Sequence, residues 1–378
     1  MEAASHNGGT VSKNQTVIVT FKVCLVASIP ACHNILMKIH LLFLILTVLA
    51  SYALTYIIRH YALHKNIMDI PNERSSHSIP TPRGGGLSIV ITFLLSLLGL
   101  SFWGQIDWPT SLGFILSGGL IAGIGFWDDK GHVTPKWRLL AHFLAASLLV
   151  YTTGGLPTLI FLGIPISFGI IGHGLAIIAV VWILNLFNFM DGIDGIASVE
   201  AISALAVLAI LCFPMSSAAV TINALLGAAV LGFLLWNFPP AKIFLGDAGS
   251  GFLGLMLAGL LLWNTHLSPT LFWSWLIMLG VFILDATLTL IRRLLQKKKV
   301  YEAHRSHAYQ HATQHYDAHK PVTLTVLAIN LLWLAPLAYL AGTGIVDGFL
   351  ALIIAYIPLV ILAFRWRAGC ETTHASKK

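Results

Sequence analysis

Apolar residues run along this chain in long, nearly uncharged blocks divided by short polar connections. The blocks fall at 39–58, 87–103, 110–127, 139–153, 173–190, 196–213, 218–236, 251–265, 271–291, 321–342 and 345–364. Most approach the ~20 residues that a helix needs to cross ~30 Å of hydrocarbon. Continuous apolar runs favour helices over the short alternating strands of a barrel, and backbone inside a bilayer must satisfy its own hydrogen bonds. The pattern therefore predicts an all-α, polytopic membrane protein with about eleven transmembrane helices. Residues 154–172 are apolar but punctuated by Gly and Pro, and read as an irregular extracytoplasmic connection. Upstream, the apolar run from Thr16 to Cys32 is interrupted by Lys22, while a clean span follows Met37 and Lys38. Residues 1–36 are read as an extension outside the functional fold, and 37–378 as one transmembrane domain.

Composition closes off the soluble classes. Hydrophobic residues make up 57% of the 378 and charged residues 10%, against about 25% charged in ordinary soluble chains. Every Lys and Arg beyond Lys38 lies in alternate connections or in the C-terminal tail, and the intervening connections have none. Basic loops stay in the cytoplasm, so the N-terminus is expected outside and the C-terminus inside. The net charge of +7 then reflects topology and anionic partners at the inner face, and nucleic acid need not be invoked. The four cysteines show neither metal-ligand spacing nor a disulfide framework.

The scarce polar residues gather at the predicted cytoplasmic ends of the spans. The first loop carries Arg74 and His77, then Arg83-Gly84-Gly85-Gly86 at the start of a helix. Arginines grip phosphate through two nitrogens, and glycines let backbone approach an anion. Asp128 and Asp129 close the third span. Asn185, Asn188, Asp191 and Asp194 follow at three-residue steps, so neighbours share roughly one helical face. The structural alternative is interhelical hydrogen bonding by the asparagines. Lys242 leads into Gly246-Asp247-Ala-Gly249-Ser250-Gly251, which is neither a Walker loop nor a dinucleotide fingerprint. Asp247 is a hard oxygen donor of the kind Mg²⁺ prefers. Asp285 lies inside its span, expected to meet the polar cluster or to cap its geometry. His304, His307, His311, His315 and His319, spaced by 3, 4, 4 and 4, form a helical stripe along a loop that also carries Arg305. Donation to phosphate oxygens suits these surroundings better than a Zn²⁺ site, and His315 and His319 read as solvated surface.

These elements, in this order and on one membrane side, resemble the polyprenyl-phosphate N-acetylhexosamine-1-phosphate transferase superfamily of WecA and MraY type. The similarity runs from about Met37 to the last span. The stretches from Pro71 to Gly86 and from His304 to His311 look like the WbpL-like branch, which starts O-antigen chains. The histidines depart from the consecutive pattern of the MraY branch, and Arg83 stands where that branch lacks an arginine.

The resemblance implies transfer of a sugar 1-phosphate from a UDP-N-acetylhexosamine to undecaprenyl phosphate, with Mg²⁺ as cofactor and Mn²⁺ as its substitute. The site would lie on the cytoplasmic face of a bacterial inner membrane, in a protein that could be a homodimer. It implies metal ligation by Asp247 with Asn188, and catalytic roles for Asp128, Asp129, Asp247, His304 and His307. Substrate contacts would come from Arg74, His77, Arg83, Gly84, Gly85, Asn185, Asp191, Asp194, Lys242, Arg305 and His311. Asp128 and Asp129 are expected to orient the lipid phosphate more than to remove a proton. The competing readings are a polytopic transporter and a metal-binding membrane sensor.

Overall fold

The computed structural model describes residues 29–71, 76, 79–131, 133–298 and 304–370. Each predicted block is a helix or a helix pair. In chain order these are α1 (Ile29–His64), α2 (Leu87–Phe102), α3 (Trp108–Lys130), α4 (Pro135–Thr152), α5 (Gly169–Met190), α6 (Ile196–Cys212), α7 (Ser217–Asn237) and α8 (Asp247–Thr265). There follow α9 (Thr270–Met278), α10 (Gly280–Leu295), α11 (Ala308–Tyr316), α12 (His319–Ile329), a π-helical turn at Asn330–Leu334, α13 (Ala335–Gly342) and α14 (Gly348–Arg365). Among the described residues, those up to Leu46 form one compact unit and those from Thr47 onward form another.

Among the described residues, seven helical segments are long and apolar enough to cross a membrane, or eight if α9 and α10, bent by 68° at their junction, count as one span. The predicted eleven exceeds this because α2 and α6 are apolar but shorter, and α4 opens on the polar sequence Pro-Lys-Trp-Arg. Outward-facing side chains are as apolar as the core: Leu95 is 62% exposed, Ile361 63% and Leu332 78%. Exposure of that kind belongs against lipid. This is a multi-pass, predominantly helical membrane protein.

The core is organised around α8, whose residues are nearly all buried. It packs against α3 and α5 through small residues. A Cβ at Gly118 would lie 2.7 Å from Phe252, and one at Gly254 would lie 2.9 Å from the α5 backbone. Small residues allow the close helix approach on which membrane bundles depend. The segment read as irregular contains a hairpin, β3 (Leu159–Phe161) against β4 (Ile164–Ile166). Its two-residue turn places Leu162 at φ 49° and Gly163 at φ 79°, the backbone of a type I′ turn. Without Asn-Gly, the sequence signal for it is weak.

Candidate active site

Three backbone segments are joined before any side chain enters the site. Strand β1 (Met68–Asp69) pairs antiparallel with β2 (Thr81–Pro82). The chain after β2 then runs beside the approach to α8. Phe244 N–H donates to the Pro82 carbonyl at 2.8 Å, Gly85 N–H to Phe244 at 2.9 Å and Gly86 N–H to Leu245 at 2.9 Å. The contact is closest where two glycines meet, and a Cβ on Gly86 would fall 2.3 Å from the Gly249 Cα. The Gly-rich run thus serves backbone packing. The amides of Gly85 and Gly86 are spent on carbonyls and not offered to an anion.

On this frame the acids converge. Asp129, only 2% exposed, receives Arg83 Nη2 at 2.6 Å and the backbone N–H groups of Asp247 and Ala248 at 3.1 and 3.3 Å. It caps α8 from another helix, where a carboxylate meets both orphan amides and the positive end of the dipole. Asp128 accepts from Val133 N–H at 2.9 Å and from Arg138 Nη1 at 2.5 Å. Arg138 also lies 3.7 Å from Asp247 Oδ2. Asn188 completes the network: with its amide oriented so that oxygen and nitrogen both find partners, it donates to Asp247 Oδ1 at 3.1 Å and Ser250 Oγ at 2.9 Å and accepts from Arg138 Nη2 at 2.9 Å. Asp128, Asp129, Asn188 and Asp247 are therefore parts of one connected assembly.

This assembly borders a cavity of about 210 Å³, whose walls include Arg83, Asn188, Asp191, Asp194, Asp247, Gln310 and His319. A second cavity of about 620 Å³ adjoins it, sharing Ser76, Asp194, Phe244 and His319 and adding Arg305 and Lys320. Asp194 accepts from Ala241 N–H at 2.9 Å and lies 3.0 Å from His319 Nδ1. His319 Nε2 lies 2.9 Å from the Ser76 carbonyl. The turn that delivers Asp191 needs Gly192, since a Cβ there would meet the Tyr309 hydroxyl at 2.1 Å.

Negative charge is concentrated here. Burial pushes the Asp191 carboxyl well above the usual range, and Asp247, Asp194 and Asp129 push it further. Burial draws the Arg83 guanidinium down, but Asp129, Asp247 and Asp69 outweigh it and hold the group above its ordinary value. Among the described residues, no group of three or more His, Cys, Asp or Glu side chains is placed to hold a metal ion. Mg²⁺ is commonly held by one or two carboxylates, with waters and substrate phosphates completing its shell. Asp247 and Asp191, both facing the cavity, suit that demand.

Several residues singled out in the sequence sit elsewhere. Asn185 faces α4, with Nδ2 3.3 Å from His142 Nδ1 and 2.7 Å from the Val181 carbonyl, so its role is interhelical. The Lys242 ammonium lies over the Trp236 ring, 5.4 Å from its centre. Gly84 and Gly85 are outside both cavity linings. His307 is buried with Nδ1 3.3 Å from Asp285 Oδ1, and His304 stacks on it at 5.0 Å. Burial, then His307 and Arg293, lower the His304 pKa to about 3. His311 turns to the Cys370 carbonyl at 3.1 Å, and burial lowers its pKa.

Asp285 caps α11, accepting from Ala308 and Tyr309 N–H at 2.8 and 2.9 Å, and it does not line the cavity where the other acids meet. Arg74 and His77 lie outside the described residues. Sequence reasoning passed over Gln310 and misplaced His319, whose side chain is 14% exposed and faces the cavity. A useful signal lay in the loop composition: Tyr-Asp-Ala before His319 breaks the helical stripe and frees that histidine to point elsewhere.

The glycosyl transferase family 4 model matches residues 111–265, which run from α3 to the end of α8. A probable undecaprenyl-phosphate N-acetylglucosaminyl 1-phosphate transferase of Bacillus subtilis is 28% identical over 327 residues, covering 84% of this chain and 88% of that protein. A decaprenyl-phosphate N-acetylglucosaminephosphotransferase of Mycobacterium tuberculosis is 29% identical over 334 residues, 78% of this chain and 80% of its own. A phospho-N-acetylmuramoyl-pentapeptide-transferase of Lactiplantibacillus plantarum is 31% identical over 234 residues, 58% of this chain and 70% of its own. By these matches the chain belongs to glycosyl transferase family 4, the superfamily of WecA- and MraY-type polyprenyl-phosphate sugar-1-phosphate transferases.

Proposed function

We propose that this protein transfers an N-acetylhexosamine 1-phosphate from a UDP-sugar to undecaprenyl phosphate at the cytoplasmic face of a bacterial inner membrane, in the initiation of a surface glycan such as O-antigen. The N-terminus lies outside and the C-terminus inside. The observation that carries the reading is the placement of Asp247. It opens the central helix, faces the cavity, and is held by Asn188 with Arg138 beside it.

Both reactants are anions, so the dominant cost is repulsion and alignment. A phosphate monoester has a second pKa near ~6 and is largely ionised at neutral pH, so little proton removal is needed. The chain supplies positioning and charge, the main sources of rate in phosphoryl transfer. A lipid phosphate oxygen bonds to the sugar-bearing phosphorus, the bridging P–O bond breaks, and UMP leaves with the electron pair. Asp247 and Asp191 would hold Mg²⁺, with Mn²⁺ as substitute, and the ion would neutralise diphosphate charge. Arg83 and Arg138 add fixed positive charge beside the acids. Asp129 holds the start of α8 and Asp128 holds Arg138, so both act by positioning. His319 fixes Asp194 at the seam of the two cavities, and the larger cavity, with Arg305 and Lys320, receives the donor nucleotide.

The test is UMP release by purified protein given a panel of UDP-N-acetylhexosamines, with the lipid product identified by mass. Release should require both undecaprenyl phosphate and Mg²⁺. UMP appearing without the lipid acceptor, or no lipid-diphosphate sugar with any donor, would overturn the reading.

A further inference from the structure

On the far side of α11 from the reacting cavity lies a groove of about 420 Å³ between α10, α11, α12 and α14. Its lining has no residue in common with either of the two cavities described above. The walls are aliphatic along their length, with Leu284 from α10, Val326 and Ile329 from α12, and Leu359 from α14. The mouth differs. Arg365, in the last turn of α14, sits with its guanidinium 5.6 Å from the centre of the Trp366 ring. His315 and Tyr316 pack on the same ring at 5.5 and 5.9 Å. Among the described residues no carboxylate pairs with Arg365. The one acid in the lining, Asp285, already accepts from Ala308 and Tyr309 and faces His307.

An apolar slot that ends in a cation and amphipathic rings at the end of a membrane helix has the two-part chemistry of a lipid. The slot takes hydrocarbon, the rings sit at headgroup level, and the cation meets a phosphate. Basic pockets between membrane helices select anionic headgroups for the same reason. We propose that this groove is a structural binding site for an anionic phospholipid, with one acyl chain along Leu284, Val326 and Leu359 and its phosphate at Arg365. The polyprenyl acceptor is not this occupant, because the groove that holds Arg365 shares no lining residue with the cavity that Asp247 faces.

The probes are photoactivatable phosphatidylglycerol and phosphatidylcholine, each offered to the full-length protein in bilayer nanodiscs, with crosslinked peptides identified by mass. Phosphatidylglycerol should label peptides of α10, α12 and α14 about 5-fold or more over phosphatidylcholine, as expected for one well-placed charge contact. Arg365→Gln should bring the two to parity. Val326→Trp should plug the slot and cut labelling by both. A melting temperature within a few degrees of wild type qualifies each variant, and the wild-type labelling stands without them. Equal labelling by the two lipids, or labelling confined to other helices, overturns the site. Displacement of the label by undecaprenyl phosphate at equal concentration assigns the groove to the acceptor and also overturns it. Because the readout is crosslinking and not UMP release, failure here leaves the transferase reading untouched.

Discussion

Asp128, Asp129, Asn188 and Asp247 come from three helices spread over more than a hundred residues, yet they end in one hydrogen-bonded network. His307, His311, His315 and His319 stand four residues apart and face four different neighbours: Asp285, the Cys370 carbonyl, Trp366 and Asp194. Regular spacing in one stretch did not build a cluster, and irregular placement over many did. The reason is mechanical. The histidines ride on a short helix that ends where Asp317 turns to φ 50°, so the last of them starts a new helix with a new direction. The acids sit at helix ends whose positions are fixed by the packing around α8.

Four measurements can break or sharpen this contrast. The largest effect belongs to Asp247. Asp247→Asn keeps the shape but removes the charge, and should lower UMP release by about 10³-fold or more, the scale of losing a key electrostatic group in phosphoryl transfer. Unfolding should stay near wild type. A loss below tenfold would detach Asp247 from the chemistry.

Asp129 should act mainly through the fold. Asp129→Ala strands Arg83 and uncaps α8, and should cost about 3 kcal/mol, as removal of one partner from a buried ion pair does. Thermal or denaturant unfolding in detergent reads this directly, and an unchanged midpoint would refute the capping role.

The histidines divide next. His319→Ala should lower turnover by about 10²-fold, since misplacing a positioned group by an ångström costs that much. His311→Ala should change it by less than about threefold, the scale of one ordinary hydrogen bond, because His311 bonds the Cys370 carbonyl and lines neither cavity. Equal losses would restore the stripe as a functional unit.

The smallest effect is on acid stability. The folded state holds His304 near a pKa of about 3, below the ~6.5 of an unfolded histidine. Between those values the unfolded chain binds the extra proton, so lowering the pH favours unfolding. The contribution is fully present above about pH 6.5 and fades as pH falls toward 3. Wild type should therefore lose more thermal stability between pH 7 and pH 5 than His304→Gln does. Parallel losses would show His304 to be solvated.

Most of the helical architecture was legible because an apolar block of sufficient length has few alternatives, and each predicted block is a helix or a helix pair. The number of full spans was not, since α2 and α6 are short, α4 is polar at its start, and α9 and α10 divide one block by a sharp bend. The acids were legible from their rarity. Asn185 and Asn188 could not be told apart by sequence: three residues on one helix turned one toward His142 and the other toward Asp247. Membership of the transferase family also removes the transporter and sensor alternatives that composition and histidine count had kept open.

The abutting glycines at 86 and 249 reach further than their size suggests. Neither can gain a methyl group while the other backbone keeps its place, so these two stretches of chain can drift in sequence only together. On the proposed reading, donor preference would then diversify through wall positions of the larger cavity such as Thr313, Gln314 and Lys320, which make no contact with Asp129 or Asp247 in the network described above.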